Sequence, residues 1–144
     1  MKGKIENVDD QDERIASIFG MDEVPVVSDE TLRIFIQYIK DNMDTNCEIT
    51  GIEDFEWEEY YIIGPGSKKE HKRLRKSRPS FMDTYKIIGF NDEPDEDYGI
   101  LVNLRRISDR KKFTLPLADL EETDKNHPSY QILHDFSVWF VNWR

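Results

Sequence analysis

An apolar stripe near the C-terminus constrains the fold more than any other feature of the sequence. It consists of Ile132, Leu133, Phe136, Trp139, Phe140 and Trp143. These residues recur at the three- and four-residue spacing that places side chains on one face of a helix. Pro128, just ahead of the stripe, suits a first helical turn. We therefore expect a C-terminal helix that seals one face of a sheet, rather than an aromatic box for a cofactor.

A second helix is predicted from Ser28 to Met43. Ser28 can cap its first turn, and the acidic residues Asp29 and Glu30 lie where the helix dipole favours negative charge. Its apolar stripe also has helical spacing and consists of Leu32, Phe35, Ile36, Ile39 and Met43. The N-terminal side of the predicted sheet therefore carries a helix as well.

Between the two helices the apolar pattern changes to the alternation of strands. The strand candidates are Cys47 to Ile49, Tyr60 to Ile63, Thr84 to Phe90, Gly99 to Ile107 and Lys111 to Leu115. A tight turn at Ser108 to Arg110 joins the last two in a hairpin. This pattern predicts an α+β fold. Its core is a small antiparallel, barrel-like (SH3/Sm-like) sheet of four to five strands, with an N-terminal helix and a C-terminal aromatic helix packed on it.

The length and apolar content of the chain predict one domain. Residues 1–27 read as a polar lead-in with a short helix at Arg14 to Met21, and residues 28–144 as a single α+β domain. No apolar run reaches the roughly 20 residues that a membrane span needs, and the first residues lack the apolar stretch of a signal peptide. We therefore expect a cytoplasmic protein without a membrane partner.

Charge is distributed unevenly along the chain, which has a net charge of −10. The segment Lys68 to Arg78, called the basic segment below, holds seven of the 20 Lys and Arg residues. The remainder carries 13 basic and 29 acidic side chains. Such a body repels phosphate backbones and attracts cations or a basic protein partner. Nucleic acid is therefore an unfavoured partner. The basic segment still leaves two interpretations open. It is either a nucleic-acid or membrane patch, or a short exposed helix or loop that folds against the acidic face or docks an acidic partner.

The densest acidic cluster lies in the loop Asn91 to Gly99 between two predicted strands. Ca²⁺ prefers six to eight oxygen ligands, and the predicted ligands here are Asp92, Asp95, Glu96 and Asp97. The spacing does not match an EF-hand loop. The alternative is a solvated turn whose acids keep the edge soluble. Two further clusters run from Glu53 to Glu59 and from Asp119 to Asp124.

No catalytic motif is present in the sequence. His71, His127 and His134 are scattered, and the single cysteine, Cys47, has no partner for a disulfide or a zinc site. The stretch Gly64 to Lys68 lacks the spacing of a phosphate-binding loop. We therefore expect a binding protein rather than an enzyme.

The order of motifs in the second half of the chain is informative in combination. A strand from Tyr85 to Phe90 precedes the acidic loop, the segment Phe113 to Glu121 reads FTLPLADLE, and Asp135 to Trp139 reads DFSVW in the last helix. Over about residues 31–143 the chain resembles the cyanobacterial-type calcium-binding protein family, CcbP. The resemblance implies Ca²⁺ bound by surface carboxylates on a β-rich fold without EF-hands, in a buffering role.

The chain also departs from that family. The segment Ser67 to Pro79 has no counterpart, and Ser137 and Val138 replace a polar and an aromatic residue. Only the acidic character of Asp92 to Asp97 carries over. The functional hypothesis is a non-enzymatic calcium buffer or sensor. Its alternatives are an acidic interaction module, such as an inhibitor or immunity-type partner of a basic protein, and polyanion binding through the basic segment. The sequence leaves the oligomeric state open.

Overall fold

Helices at both ends of the chain enclose a run of short strands in the computed structural model, which describes residues 8–144. The helices are α1 (Val8–Ile18), α2 (Asp29–Asn42), α3 (Glu59–Ile62), α4 (Lys68–Leu74) and α5 (Pro128–Asn142). The strands are β1 (Glu48–Gly51), β2 (Thr84–Phe90), β3 (Leu101–Arg106), β4 (Lys112–Pro116) and β5 (Leu120–Glu122). Single 3₁₀ turns occur at Glu56–Glu58 and Leu117–Asp119.

The five strands form one antiparallel sheet in the order β4-β3-β2-β1-β5. The predicted α+β class is therefore confirmed. The short strand β5 was not predicted, because three residues following a turn carry no clear alternation. Its pairing with β1 brings Leu120 opposite Gly51. Within the described residues β4 and β5 remain at opposite edges of an open sheet, so the predicted barrel-like closure is not confirmed.

Aromatic contacts join the three long helices above the sheet. The ring of Trp139 on α5 lies 5.1 Å from that of Phe35 on α2 and 5.3 Å from that of Phe19, which follows α1. Phe35 and Trp139 are fully buried, and the indole Nε1 of Trp139 donates to the carbonyl of Pro25 at 2.9 Å. The stripes predicted for α2 and α5 thus meet each other as well as the sheet. Such edge-to-face and tilted pairs stabilise beyond their buried area.

The ends of α2 agree with the sequence pattern, whereas those of α1 do not. Ser28 accepts a hydrogen bond from the amide of Thr31, as expected of the cap of α2. The predicted N-terminal helix, from Arg14 to Met21, instead begins at Val8. Residues 8–13 are therefore helical where a frayed lead-in was expected, and residues 1–7 lie outside the described part of the chain.

The predicted strand at Tyr60 to Ile63 is wrong. Residues 56–62 form a 3₁₀ turn followed by α3, and the helical bonding continues as the amide of Ile63 donates to the carbonyl of Glu59. Burial there follows a period of three, since Phe55 and Glu58 are buried while Glu56 is exposed. An inward-facing glutamate hides this period from an apolar pattern, so the β-forming residues dominated the sequence prediction.

Replacing one aromatic of the helix junction tests the packing. We expect Phe35→Ala to lower the free energy of unfolding by about 3–5 kcal/mol, because it leaves a cavity among rigid rings. The neighbouring change Ile34→Ala should cost about 1 kcal/mol or less, because Ile34 is 38% exposed. Urea unfolding of both variants measures the difference, and equal losses would contradict this placement of α2.

Candidate cation-binding surface

The acidic loop between β2 and β3 is a structured turn. Asp95 and Gly99 form a β-bridge, with N···O distances of 2.7 and 2.9 Å between their backbone groups. The side-chain Oδ1 of Asp95 accepts hydrogen bonds from the amides of Asp97 and Tyr98, both at 2.9 Å. One oxygen of Asp95 is therefore used to hold the loop, which leaves Oδ2 for an external partner.

Gly99 closes the loop in a conformation that only glycine adopts without strain. Its φ is +75°, and a Cβ built there would lie 2.4 Å from Cε1 of Phe140. The loop is thus held against α5 by a close approach of backbone to ring. Arg144 adds a second contact, since its guanidinium lies over the Phe140 ring and donates to the carbonyl of Asp97.

The four predicted ligands do not converge on one point. Asp92 is exposed and pairs with Lys40 of α2, whose hydrogen bond lowers the pKa of that carboxyl below its usual range. Its neighbour Glu93 pairs with Arg33 at 2.9 Å. Glu96 and Asp97 are exposed to solvent, while Asp95 is half-buried. Two carboxylates of the loop therefore pair with α2, and the other three do not.

Asp95 faces a groove of about 580 Å³, called the aromatic groove below. Its apolar walls are formed by Phe55, Trp57, Tyr98, Leu101, Leu115 and Pro116. Three carboxylates line it as well, Glu56, Asp95 and Asp119. The groove therefore brings together one member of each acidic cluster in the sequence. Sequence reasoning named all three clusters and missed their meeting, because strand β5 and the 3₁₀ turn before it place Asp119 beside Glu56.

The carboxyl of Asp119 has a raised pKa in this arrangement. Burial against the groove raises the pKa of its carboxyl, and the nearby charges of Glu53 and Glu56 raise it further. Its side chain still reaches solvent. Unneutralised carboxylates held this close attract a cation, which would lower that pKa again.

The donors at the groove have the chemistry of a hard-cation site without its assembled geometry. Carboxylate oxygens are the ligands that Ca²⁺ prefers. Within the described residues, however, no three His, Cys, Asp or Glu side chains lie close enough together to hold a metal ion. A Ca²⁺ ion at Glu53, Glu56, Asp95 or Asp119 would therefore need water ligands or a shift of side chains.

A buried carboxylate fixes the wall of the groove. Glu58 is fully buried and accepts hydrogen bonds from Ser80 Oγ at 2.7 Å and from the amide of Phe81 at 2.8 Å, while His71 Nε2 lies 2.7 Å from it. Trp57 next to it donates from Nε1 to the carbonyl of Pro79 at 2.6 Å. These contacts tie the long connection between β1 and β2 together across its two ends.

The basic segment begins with α4, and Arg106 fixes the turn that follows this helix. Arg106 is 2% exposed and donates to the backbone carbonyls of Arg75, Lys76 and Arg78 at 2.9–3.0 Å. Asp109 and Asp83 hold the same guanidinium, and that pairing lowers the pKa of Asp109 to about 2. In the described part of the chain no carboxylate pairs with the exposed side chains of Lys68, Lys69, Lys72 and Lys76.

Two further reactive side chains, Cys47 and His71, are shielded or occupied. Cys47 is 5% exposed. Its burial is the main cause that raises the pKa of its thiol to about 12, and a hydrogen bond with Glu122 raises it further. A thiol with such a pKa is protonated at neutral pH and is a poor nucleophile. His71 is committed to Glu58. Both side chains therefore form contacts inside the fold.

Comparison with known proteins places most of the chain in a known family. Residues 53–140, more than half of the chain, match the CcbP family, which is described as calcium binding. No curated protein and no solved structure matches. The matched residues lie inside 28–144, the range predicted as a single domain, and that boundary stays a prediction. Among the described residues no helix is long and apolar enough to cross a membrane.

The raised pKa of Asp119 predicts how one variant depends on pH. A carboxyl whose pKa is higher in the folded state binds more protons there, so its contribution to stability falls as pH rises through its pKa. We therefore expect Asp119→Asn to stabilise the protein at pH 7, by less than about 1 kcal/mol because the group is solvent-screened. Urea unfolding at pH 7 and near pH 3 checks this. The gain should vanish at the lower pH, and a destabilised variant at pH 7 would contradict it.

Proposed function

The chain belongs to the CcbP family of calcium-binding proteins, and on that premise we propose that it binds Ca²⁺ through surface carboxylates, as a non-enzymatic cytoplasmic buffer or sensor. The observation that carries the proposal is the family match, because residues 53–140 include the acidic loop and the carboxylates of the aromatic groove. Its net charge of −10 favours cation binding at long range.

Two ligand sets compete for the ion in this proposal. The loop set is Asp92, Asp95, Glu96 and Asp97. The groove set is Glu56, Asp95 and Asp119, which line the groove, with Glu53 near Asp119. Lys40 already compensates part of the charge of Asp92, which weakens the attraction of that carboxylate for an ion. The charges of Glu53 and Glu56, which add to the effect of burial in raising the pKa of Asp119, support the groove set as the stronger attractor. Asp95 belongs to both sets.

The ion is expected to be held weakly and to keep several waters. Ca²⁺ tolerates variable coordination by six to eight oxygens, whereas Mg²⁺ demands a near-ideal octahedron. An unassembled site of separated carboxylates therefore favours Ca²⁺ over Mg²⁺. A buffer would bind with little change of shape, and a sensor would reorganise the loop on binding.

Calorimetry with paired variants tests the ligands. We expect Ca²⁺ to release or absorb measurable heat at millimolar concentration and Mg²⁺ to give a much smaller signal. Glu96→Gln/Asp97→Asn reports on the loop alone, and Glu56→Gln/Asp119→Asn reports on the groove alone, because Asp95 is common to both sets. Whichever double variant removes essential ligands should weaken binding by about tenfold or more, since each lost charge removes a direct ligand.

A charge-matched control separates ligation from general attraction. Glu30→Gln/Asp41→Asn removes two exposed carboxylates from α2, outside the matched residues. Its affinity for Ca²⁺ should stay within about twofold of the parent, because exposed charges at a distance are screened by salt. Absence of any Ca²⁺ heat, or equal weakening by all three double variants, would reject a localised calcium site.

Polyanion binding through the basic segment is the alternative that the exposed lysines favour. It predicts that a fluorescein-labelled single-stranded oligonucleotide binds with strong salt dependence. Lys69→Gln/Lys72→Gln should lower the slope of log affinity against log salt by about 1–2, whereas the control Lys125→Gln/Arg144→Gln should not. Fluorescence anisotropy over a salt series measures both. Unmeasurable binding at low salt would exclude this alternative.

A further inference from the structure

We propose that the aromatic groove is the docking site for an extended segment of a basic protein partner, which inserts an arginine side chain between its walls. The inference concerns the cavity as a whole and is independent of whether Ca²⁺ binds at its rim. It gives a location to the interaction with a basic partner that the charge distribution predicts.

The size and walls of the groove suit an amphipathic side chain. Its volume of about 580 Å³ falls in the range of pockets that hold a ligand. Trp57 and Tyr98 supply aromatic surface, and Leu115 and Pro116 of β4 supply aliphatic surface. Tyr98 is 47% exposed, so much of its aromatic ring is uncovered. Apolar surface of this kind is what the methylene stem of an arginine covers.

The carboxylates set the charge of the occupant. No cationic group in the described residues forms an ion pair with Glu56 or Asp119. Asp95 spends one oxygen on the amides of its own loop. A guanidinium placed among these side chains would pair with a carboxylate and keep its plane against a ring, and an anionic or neutral ligand would leave the charges unpaired.

The chain itself contains an example of this pairing. The guanidinium of Arg78 lies over the ring of Trp57, 5.3 Å from its centroid. Arg78 does not line the groove, so the cavity remains open to a second cation. Guanidinium groups and the rings of tryptophan or tyrosine attract each other because the ring face is negative.

The neighbouring sheet edge favours a peptide over a small molecule. Strand β4 pairs with β3 alone among the described strands, so its outer backbone groups are free. Thr114, Leu115 and Pro116 of β4 line the groove. An extended segment can therefore lie along this edge and direct alternate side chains into the cavity. A small amine or guanidine would fill the cavity without forming hydrogen bonds to the outer backbone groups of β4.

Anisotropy with a fluorescein-labelled peptide of alternating leucine and arginine tests the proposal in the presence of a calcium chelator. Glu56→Gln/Asp119→Asn should weaken binding by about tenfold, since each exposed ion pair contributes up to about fivefold. Tyr98→Ser should weaken it by about fivefold, through loss of the aromatic wall. The control Glu30→Gln/Asp41→Asn should stay within about twofold, and a peptide with citrulline in place of arginine should not bind.

Each alternative occupant has its own outcome. Equal weakening by the control would show attraction by net charge alone, and unchanged binding to the Tyr98→Ser variant would show that the groove is not used. Either result overturns the proposal, as does the absence of peptide binding. If arginine amide binds as tightly as the peptide, the ligand of the groove is a small cation rather than a protein segment, and the proposal is overturned. Tyr98→Ser should leave the Ca²⁺ titration unchanged, so the failure of one hypothesis is distinguishable from the failure of the other.

Discussion

The buried carboxylate of Glu58 organises the part of the chain on which the candidate site depends. Residues 52–83 connect β1 to β2 without contributing a strand. Their backbone is hydrogen-bonded to the sheet region near both ends, where Ile52 donates to the carbonyl of Asp119 and Phe81 accepts from the amide of Gly51. Glu58 joins the two ends of this connection through His71, Ser80 and the amide of Phe81. Removal of such a group would leave several buried donors unpaired, a larger cost than the net worth of the bonds themselves. Phe55 and Trp57 hold their places beside the groove because of it.

The sequence was informative wherever side-chain periodicity reported burial directly. The stripes of α2 and α5, and the alternation in β2, β3 and β4, are predictable because an apolar face needs a covering partner. The region around α3 was mispredicted because its inward residue is the charged Glu58, which no apolar pattern reveals. Strand β5 was missed because its role comes from pairing with a distant strand, β1. Long-range pairing of this kind is set by the whole fold and leaves no local signal.

The acidic clusters show the same division between local and tertiary information. Their existence is evident from composition, and the hydrogen-bonded turn at Asp95 is local chemistry, because an aspartate side chain readily accepts from the backbone two residues on. Two facts depend on tertiary contacts. Lys40 compensates Asp92, and Asp119 lies near Glu53 and Glu56. The structure thus redistributes a bulk charge into compensated and uncompensated parts, and only the uncompensated part attracts a further cation. The basic segment is separately anchored by Arg106 and retains its exposed lysines.

The contact between Gly99 and the ring of Phe140 has an evolutionary consequence. Any side chain at position 99 would collide with a ring that belongs to the buried face of α5, so this position and the aromatic residue opposite it are constrained to vary together. The exposed positions 96 and 97 carry no such restriction. The side chains at positions 96 and 97 can therefore be exchanged while the loop keeps its shape, so a change in cation affinity does not require a change in fold.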